Sequence, residues 1–220
     1  MALTSAQIAD LGLCVILDRS AAGDRDLDAV LDAVIEGGGR WVQLREKEGG
    51  LRRLLPLAER LSRRARQAGV TFIVNDRLDL ALAVNADGLH VGQDDLPASA
   101  ARQLLPGRIL GVSSHSLPQA LEAQGAGADY VAIGSIFPTS TKAEIHLVGI
   151  EAIRTLRPSI RRPLIAIGGI SVENAASVIR AGADGVAVIS AVCGAKDPGA
   201  ATRALLSRIG EAKRALAPLP

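Results

Sequence analysis

Short apolar runs and longer stretches of helical periodicity alternate along the whole chain, and this exchange restricts the fold more than any other feature. Strand candidates are LCVILD, RWVQLRE, TFIVND, GLHVG, RILGVS, YVAIGS, PLIAIGG and GVAVIS. Between them lie LDAVLDAVIEGG, LRRLLPLAERLSRRARQ, LDLALAV, PASAARQLL, SLPQALEAQGAG, VGIEAIRTLR and VENAASVIRAG, and a last helix follows near PGAATRALLSRIGEAKRAL. Roughly eight strand–helix units in 220 residues suit a compact (βα)8 TIM barrel. The strands read as near-continuous apolar runs, as parallel strands do when both faces are covered. Glycines at 69, 127 and 182 follow helical stretches, where a left-handed cap is needed. An open doubly wound sheet would place GxGxxG after its first strand, and here that strand runs into LDRSAAGDRD. The expected class is α/β, with residues 1–220 forming a single barrel domain and no linker or low-complexity tract.

Composition narrows the partners. Hydrophobic residues make up 48% and charged residues 22%, the balance of a folded chain rather than a disordered one. With aromatics at 2%, any ring-binding pocket must be lined mainly by aliphatic and polar groups. The formal charge of +2 comes from nearly equal counts, and no long basic run interleaves with aromatics, so nucleic acid is not an expected partner. The most basic stretch, RRLLPLAERLSRRARQ, alternates apolar and charged positions at helical spacing and reads as a solvated helix face. Cys14 and Cys193 stand alone in apolar segments and read as small buried hydrophobes, not as a disulfide or zinc framework. The start MALTSAQIAD lacks the pattern of a signal peptide, and no apolar run nears the ~20 residues of a membrane span. The expectation is a cytoplasmic protein with no membrane partner.

In a barrel of this kind, polar residues at the C-terminal ends of strands mark the site. In WVQLREK, Gln43, Arg45 and Lys47 are two apart and share one face, with Val42 and Leu44 turned to the helices. An amide, a guanidinium fork and an ammonium at one rim suit an anionic ligand; the alternative is an ion-pair network with Glu46, Glu48 and a neighbouring helix. The third strand ends in Asn75-Asp76 and the fourth runs into Asp94-Asp95. Two carboxylates from adjacent strand ends suit a hard cation such as Mg²⁺, although one of Asp94 and Asp95 could instead cap the helix starting near Pro97. His90, His115 and His146 lack ligand spacing and read as structural.

The last three strands carry a second constellation. Gly134 leads into Thr139, Ser140, Thr141 and Lys142, the seventh strand ends in Gly168-Gly169, and the eighth ends in Ile189-Ser190. Backbone amides around paired glycines, hydroxyls and a short helix start are the material of a barrel phosphate site. Two anion sites on one rim, one with a metal, suggest a reaction joining two phosphorylated partners.

The motifs Gln43-Leu44-Arg45-Glu46-Lys47, Asn75-Asp76, the run from Ala86 to Asp95, Gly111-Val112-Ser113, the run from Ile136 to Lys142, Ala166 to Ile170 and Ala183 to Ser190 follow one another in the order found in thiamine phosphate synthases, and the chain resembles that family over most of its length. The resemblance implies a transferase that joins 4-amino-2-methyl-5-(diphosphooxymethyl)pyrimidine to 4-methyl-5-(2-phosphoethyl)thiazole with Mg²⁺, releasing pyrophosphate. It implies that Gln43, Leu44, Arg45, Glu46, Lys47, Asn75, Ser113 and Lys142 hold the pyrimidine diphosphate, with Arg45, Lys47, Ser113 and Lys142 acting in catalysis. Asp76 and Asp95 would bind Mg²⁺, and Thr139, Ser140, Thr141, Gly169, Ile189 and Ser190 would hold the thiazole phosphate. The implied mechanism is dissociative, which agrees with the lack of any residue resembling a covalent nucleophile. Ser135 stands where the family often has proline. The related thiazole tautomerases carry a histidine there and usually lack the metal aspartates, so the transferase is the expected activity. The segments 19–25 and 142–149 are candidate lids by their glycine and polar content.

Overall fold

A computed structural model describes residues 5–47, 49–139 and 146–216. Its strands are β1 (Leu13–Asp18), β2 (Trp41–Arg45), β3 (Thr71–Asn75), β4 (Gly88–Val91), β5 (Ile109–Ser114), β6 (Tyr130–Ile133), β7 (Leu164–Ile167) and β8 (Gly185–Val188). They pair in chain order, and β8 returns to β1 through Leu13↔Val186 and Val15↔Val188, closing a parallel barrel. This closure removes the doubly wound alternative. The helices are α1 (Ser5–Leu11), α2 (Arg19–Ala22), α3 (Leu27–Glu36), α4 (Leu51–Gln67), α5 (Leu78–Ala83), α6 (Ala98–Leu104), α7 (Leu117–Gly125), α8 (Glu151–Leu156), α9 (Ala175–Arg180), α10 (Ser190–Cys193) and α11 (Pro198–Leu216). Among the described residues no helix is long and apolar enough to cross a membrane.

Every strand lies within about two residues of the apolar run that announced it, because a strand buried on both faces has no polar positions to blur its ends. Helix α1 has no counterpart in the sequence reading. Seven residues are too few for a helix to hold itself, so its order comes from tertiary contact. Ile8 plugs the N-terminal end of the barrel against the cluster that contains Trp41, Ile73 and Ile109, and Lys213 of α11 donates to the Ala9 carbonyl at 2.6 Å.

Side chains alternate across the barrel wall. Val42 and Leu44 pack outward with Leu54 and Leu57 of α4, while Trp41 faces the interior and Gln43 and Arg45 line its cavity. Inside, Trp41 meets Tyr130 edge-on, with centroids 5.0 Å apart and planes at 85°. The Tyr130 ring fits because position 111 has no side chain: a Cβ on Gly111 would lie 2.0 Å from Tyr130 Cζ. Gly111→Ala is therefore expected to cost about 1–3 kcal/mol of stability through overpacking, read as a lowered urea midpoint.

The N-terminal end is fastened by a repeated device. Aspartates 87, 129 and 184 immediately precede β4, β6 and β8, and each accepts a hydrogen bond from the strand before its own. The donors are Phe72 N at 2.8 Å, Leu110 N at 2.8 Å and Leu164 N at 2.7 Å. Arg102 and Arg157 brace Asp129 and Asp184 at 2.9 and 2.6 Å.

Candidate active site

At the C-terminal end the barrel opens on a cavity. Its wall is aliphatic over Ile16, Ala132, Ile165 and Ile167, and polar where Gln43, Arg45, Asn75, His90 and Ser113 reach in. Register explains the gathering: Asn75 pairs with His90, and Asp18 pairs with Arg45, so each couple points inward at one level. Gln43 Nε2 donates to Asn75 Oδ1 at 2.7 Å.

Arg45 forms a salt bridge with Asp18 at the end of β1, a partner the sequence reading did not name. Asp18 is 2% exposed, and it also accepts from Ser20 Oγ at 2.5 Å and from Ala21 N at 3.1 Å as the N-cap of α2. Burial alone would raise its carboxyl. The hydrogen bonds from Ser20, Arg45 and Ala21 outweigh burial and hold it below its usual range. Glu46 turns away to pair with Arg19 at 3.1 Å, so the expected alternative of an Arg45–Glu46 pair does not form. Lys47 is exposed at the rim, and the Leu44 side chain lies in the outer core.

Asp76 follows β3 with φ 60°, a left-handed conformation that aspartate tolerates better than most residues. Its carboxyl meets that of Asp95, which accepts from Gly92 N at 2.7 Å. Burial first, and then the Asp95 carboxylate, push the Asp76 carboxyl up to about 7, while Lys47 and Arg45 pull in the other direction. Two carboxylates forced together in a half-buried mouth are an all-oxygen donor pair short of positive charge. That suits Mg²⁺, which takes one or two carboxylates and completes its shell with water and phosphate oxygens. Among the described residues no group of three or more His, Cys, Asp or Glu forms a larger cage. Asp94 points to solvent and α6 is capped at Pro97 without a side-chain bond, so neither aspartate caps that helix.

On the facing arc, the chain after β6 is laced to the end of β7: Ile136 N donates to Ile167 O at 2.9 Å and Phe137 N to Gly168 O at 3.0 Å. Gly169, at φ 61°, lies so close that a Cβ would fall 2.5 Å from the Pro138 carbonyl oxygen. Thr139 follows this contact in the chain, and Ile189 and Ser190 stand at the end of β8 as α10 begins. Ser140, Thr141 and Lys142 lie outside the described residues. Ser135 donates its N–H to the His146 carbonyl at 2.8 Å and accepts from Val148 N at 2.9 Å. A proline at that position could not make the first of these bonds.

The segment 19–25 is not an open loop. It contains α2, and Arg25 ties its end to the Cys193 and Ala195 carbonyls at 3.0 and 2.6 Å. Of the second candidate lid, 142–145 lie outside the described residues, while His146 and Val148 are bonded to Ser135. Both cysteines are buried as expected, and Cys14 also lines the cavity. Burial pushes the Cys193 thiol up to about 11. His90, expected to be structural, lines the cavity, and Tyr130 beneath it was not singled out from the sequence. A histidine at the inward parity of an apolar strand, two positions after Gly88, was the available signal.

The family model described as thiamine monophosphate synthase matches residues 13–192. A thiamine-phosphate synthase of Chloroflexus aurantiacus is 48% identical over 92% of this chain and 94% of its own length. One from Roseiflexus sp. is 50% identical over 90% of this chain and 85% of its own. The solved thiamine phosphate pyrophosphorylase from Pyrococcus furiosus superposes with a TM-score of 0.85 at 38% identity, covering 93% of this chain and 98% of that one. A 3-hexulose-6-phosphate synthase, at 18% identity and a TM-score of 0.65, shares the fold alone. The chain belongs to the thiamine monophosphate synthase family.

Proposed function

We propose that the chain, working as one barrel domain in the cytoplasm, joins the pyrimidine diphosphate to the thiazole phosphate to give thiamine phosphate and pyrophosphate. The observation that carries this reading is the Asp76–Asp95 carboxylate pair beside Arg45 and Lys47, on a rim whose other arc presents Gly168, Gly169 and Ser190. Asp76 and Asp95 would hold Mg²⁺, which would supply positive charge for the pyrophosphate leaving group. Arg45, Lys47 and Lys142 would bind the diphosphate oxygens and stabilise the charge that grows on them as the methylene C–O bond breaks with its electron pair. Gln43, Asn75 and Ser113 would orient the pyrimidine ring at the cavity mouth. The aliphatic wall of Ile16, Ala132, Ile165 and Ile167 excludes water, so the electron-poor methylene is captured by the thiazole nitrogen lone pair and not hydrolysed. The thiazole phosphate would rest on the glycine pair, Ser190 and the hydroxyls from Thr139 to Thr141.

Incubation of both phosphorylated partners with and without EDTA tests this. Thiamine phosphate should form, stop on chelation and resume with added Mg²⁺. Metal-independent conversion of a thiazole precursor with no joining would identify a tautomerase.

Ser190→Ala should raise KM for the thiazole phosphate roughly 10-fold through loss of one charge-assisted hydrogen bond, with KM for the pyrimidine diphosphate unchanged. Gly169→Ala should act more strongly, because its methyl must also displace the Phe137–Pro138 turn. Steady-state kinetics varying each substrate separately decide both, and a shift confined to the pyrimidine KM would mean that the two phosphate sites are exchanged.

A further inference from the structure

Beneath Ser113 runs a buried polar chain to which no role is assigned above. Tyr130 Oη lies 2.9 Å from His90 Nδ1, and His90 Nε2 lies 2.8 Å from Ser113 Oγ. The Tyr130 ring is fixed from several sides. It stacks on His90 with centroids 5.5 Å apart, takes Trp41 edge-on and occupies the space left by Gly111. Burial raises the phenol well above its usual pKa, so it keeps its proton. That proton needs an acceptor. Tyr130 sits in a cluster with Cys14, Ile109 and Ile165, and among the described residues its hydrogen-bond partner is His90. The phenol therefore donates to Nδ1; the opposite direction would bury an O–H with nothing to receive it.

A neutral imidazole has one donor and one acceptor nitrogen. With Nδ1 accepting, Nε2 carries the proton and donates to Ser113 Oγ. An imidazolium would need to donate at both nitrogens and would reverse the Tyr130 bond. The Ser113 oxygen thus receives its hydrogen bond from below, and its own proton is turned toward the cavity. We infer that Tyr130 and His90 are positioning residues that set the polarity of Ser113, making its hydroxyl a donor that selects a ring nitrogen of the pyrimidine substrate. This rests on the proposed reaction for the identity of the ring, and on the hydrogen-bond chain alone for the polarity.

Tyr130→Phe keeps the ring and removes the proton donor. The chain has three histidines, so ¹⁵N-histidine NMR with His90→Gln as the assignment control reads the His90 tautomer directly. The wild-type protein should show His90 protonated at Nε2 and bare at Nδ1, and Tyr130→Phe should show a mixture. A wild-type His90 protonated at Nδ1, or at both nitrogens, overturns the inference even if Tyr130→Phe fails to fold. For selectivity, the probes are two analogues of the pyrimidine diphosphate in which CH replaces one or the other ring nitrogen. Wild type should bind one of them about 3- to 10-fold more weakly than the parent, the effect of one hydrogen bond. Tyr130→Phe should lose that discrimination with its KM for the thiazole phosphate unchanged. Equal discrimination in both proteins, or an equal rise in both KM values, would make Tyr130 a packing residue. A wild-type protein that joins no substrates would defeat the proposed reaction instead, and the tautomer of the free protein would still decide the polarity.

Discussion

Asp76→Ala should lose turnover by a factor on the order of 10²–10³, the effect of removing one preorganised group aimed at developing charge, without losing stability. The two outcomes part because the group is unfavourable in the metal-free fold. Burial and the neighbouring Asp95 carboxylate raise its pKa from 3.8 to about 7. The folded state therefore binds this proton more tightly than the unfolded chain does. The stabilisation is complete below about pH 4 and is lost as pH rises through about 7. In EDTA, the Tm of the wild-type protein should fall relative to Asp76→Asn across that window. Asp95→Ala should lose turnover to a similar degree, but it also strips the acceptor from Gly92 N and so should not gain stability. Calorimetric titration with Mg²⁺ and pyrophosphate completes the test, and metal-dependent binding that survives in both alanine variants would defeat the metal assignment.

Arg45→Ala should damage stability and turnover together. Its guanidinium is the counter-charge of the buried Asp18 carboxylate, and removing one member of a buried pair costs up to about 3–5 kcal/mol, here offset in part by the Ser20 and Ala21 hydrogen bonds that Asp18 keeps. If Arg45 also faces the leaving pyrophosphate, kcat falls as well, since the cation stabilises charge that grows toward the transition state. Arg45→Lys keeps the charge and loses the fork, so it should be hurt less. The double variant Asp18→Asn/Arg45→Gln separates the two roles. Stability should largely return, since neither charge is orphaned, while turnover stays low. A double variant that regains turnover along with Tm would make Arg45 a structural residue. Lys142→Ala should be non-additive with Arg45→Ala in single-turnover rate, because both would serve one leaving group.

The barrel was legible because its signals are local. Eight apolar runs separated by 3.6-residue periodicity leave few topologies, and strand parity alone placed Gln43 and Arg45 inside the wall and Leu44 outside it. Partnerships across the barrel were not legible. Asp18 closes a strand 27 positions before Arg45, and Tyr130 lies 40 positions after His90, so nothing in either neighbourhood announces the bond. Local propensity also misled where tertiary contacts decide the outcome. The polar, glycine-containing segment at 19–25 read as a loop, but Asp18 caps a helix there and Arg25 fastens its end. One of Asp94 and Asp95 reads as a candidate cap, yet the helix begins at Ala98 behind Pro97 without either.

The aspartate clasps before β4, β6 and β8 divide the molecule's labour between its two ends. Each ties the start of one strand to its neighbour, far from the rim where Asp76 and Arg45 stand. Part of the cohesion is thus carried by three similar fastenings, none of which involves a rim residue. A chain built this way keeps its N-terminal fastenings when residues at the mouth are changed. The 3-hexulose-6-phosphate synthase, at 18% identity, keeps the same architecture. For engineering, the clasps mark positions where a substitution bears on folding alone, whereas at the rim the Asp18–Arg45 pair makes one change count for folding and chemistry together.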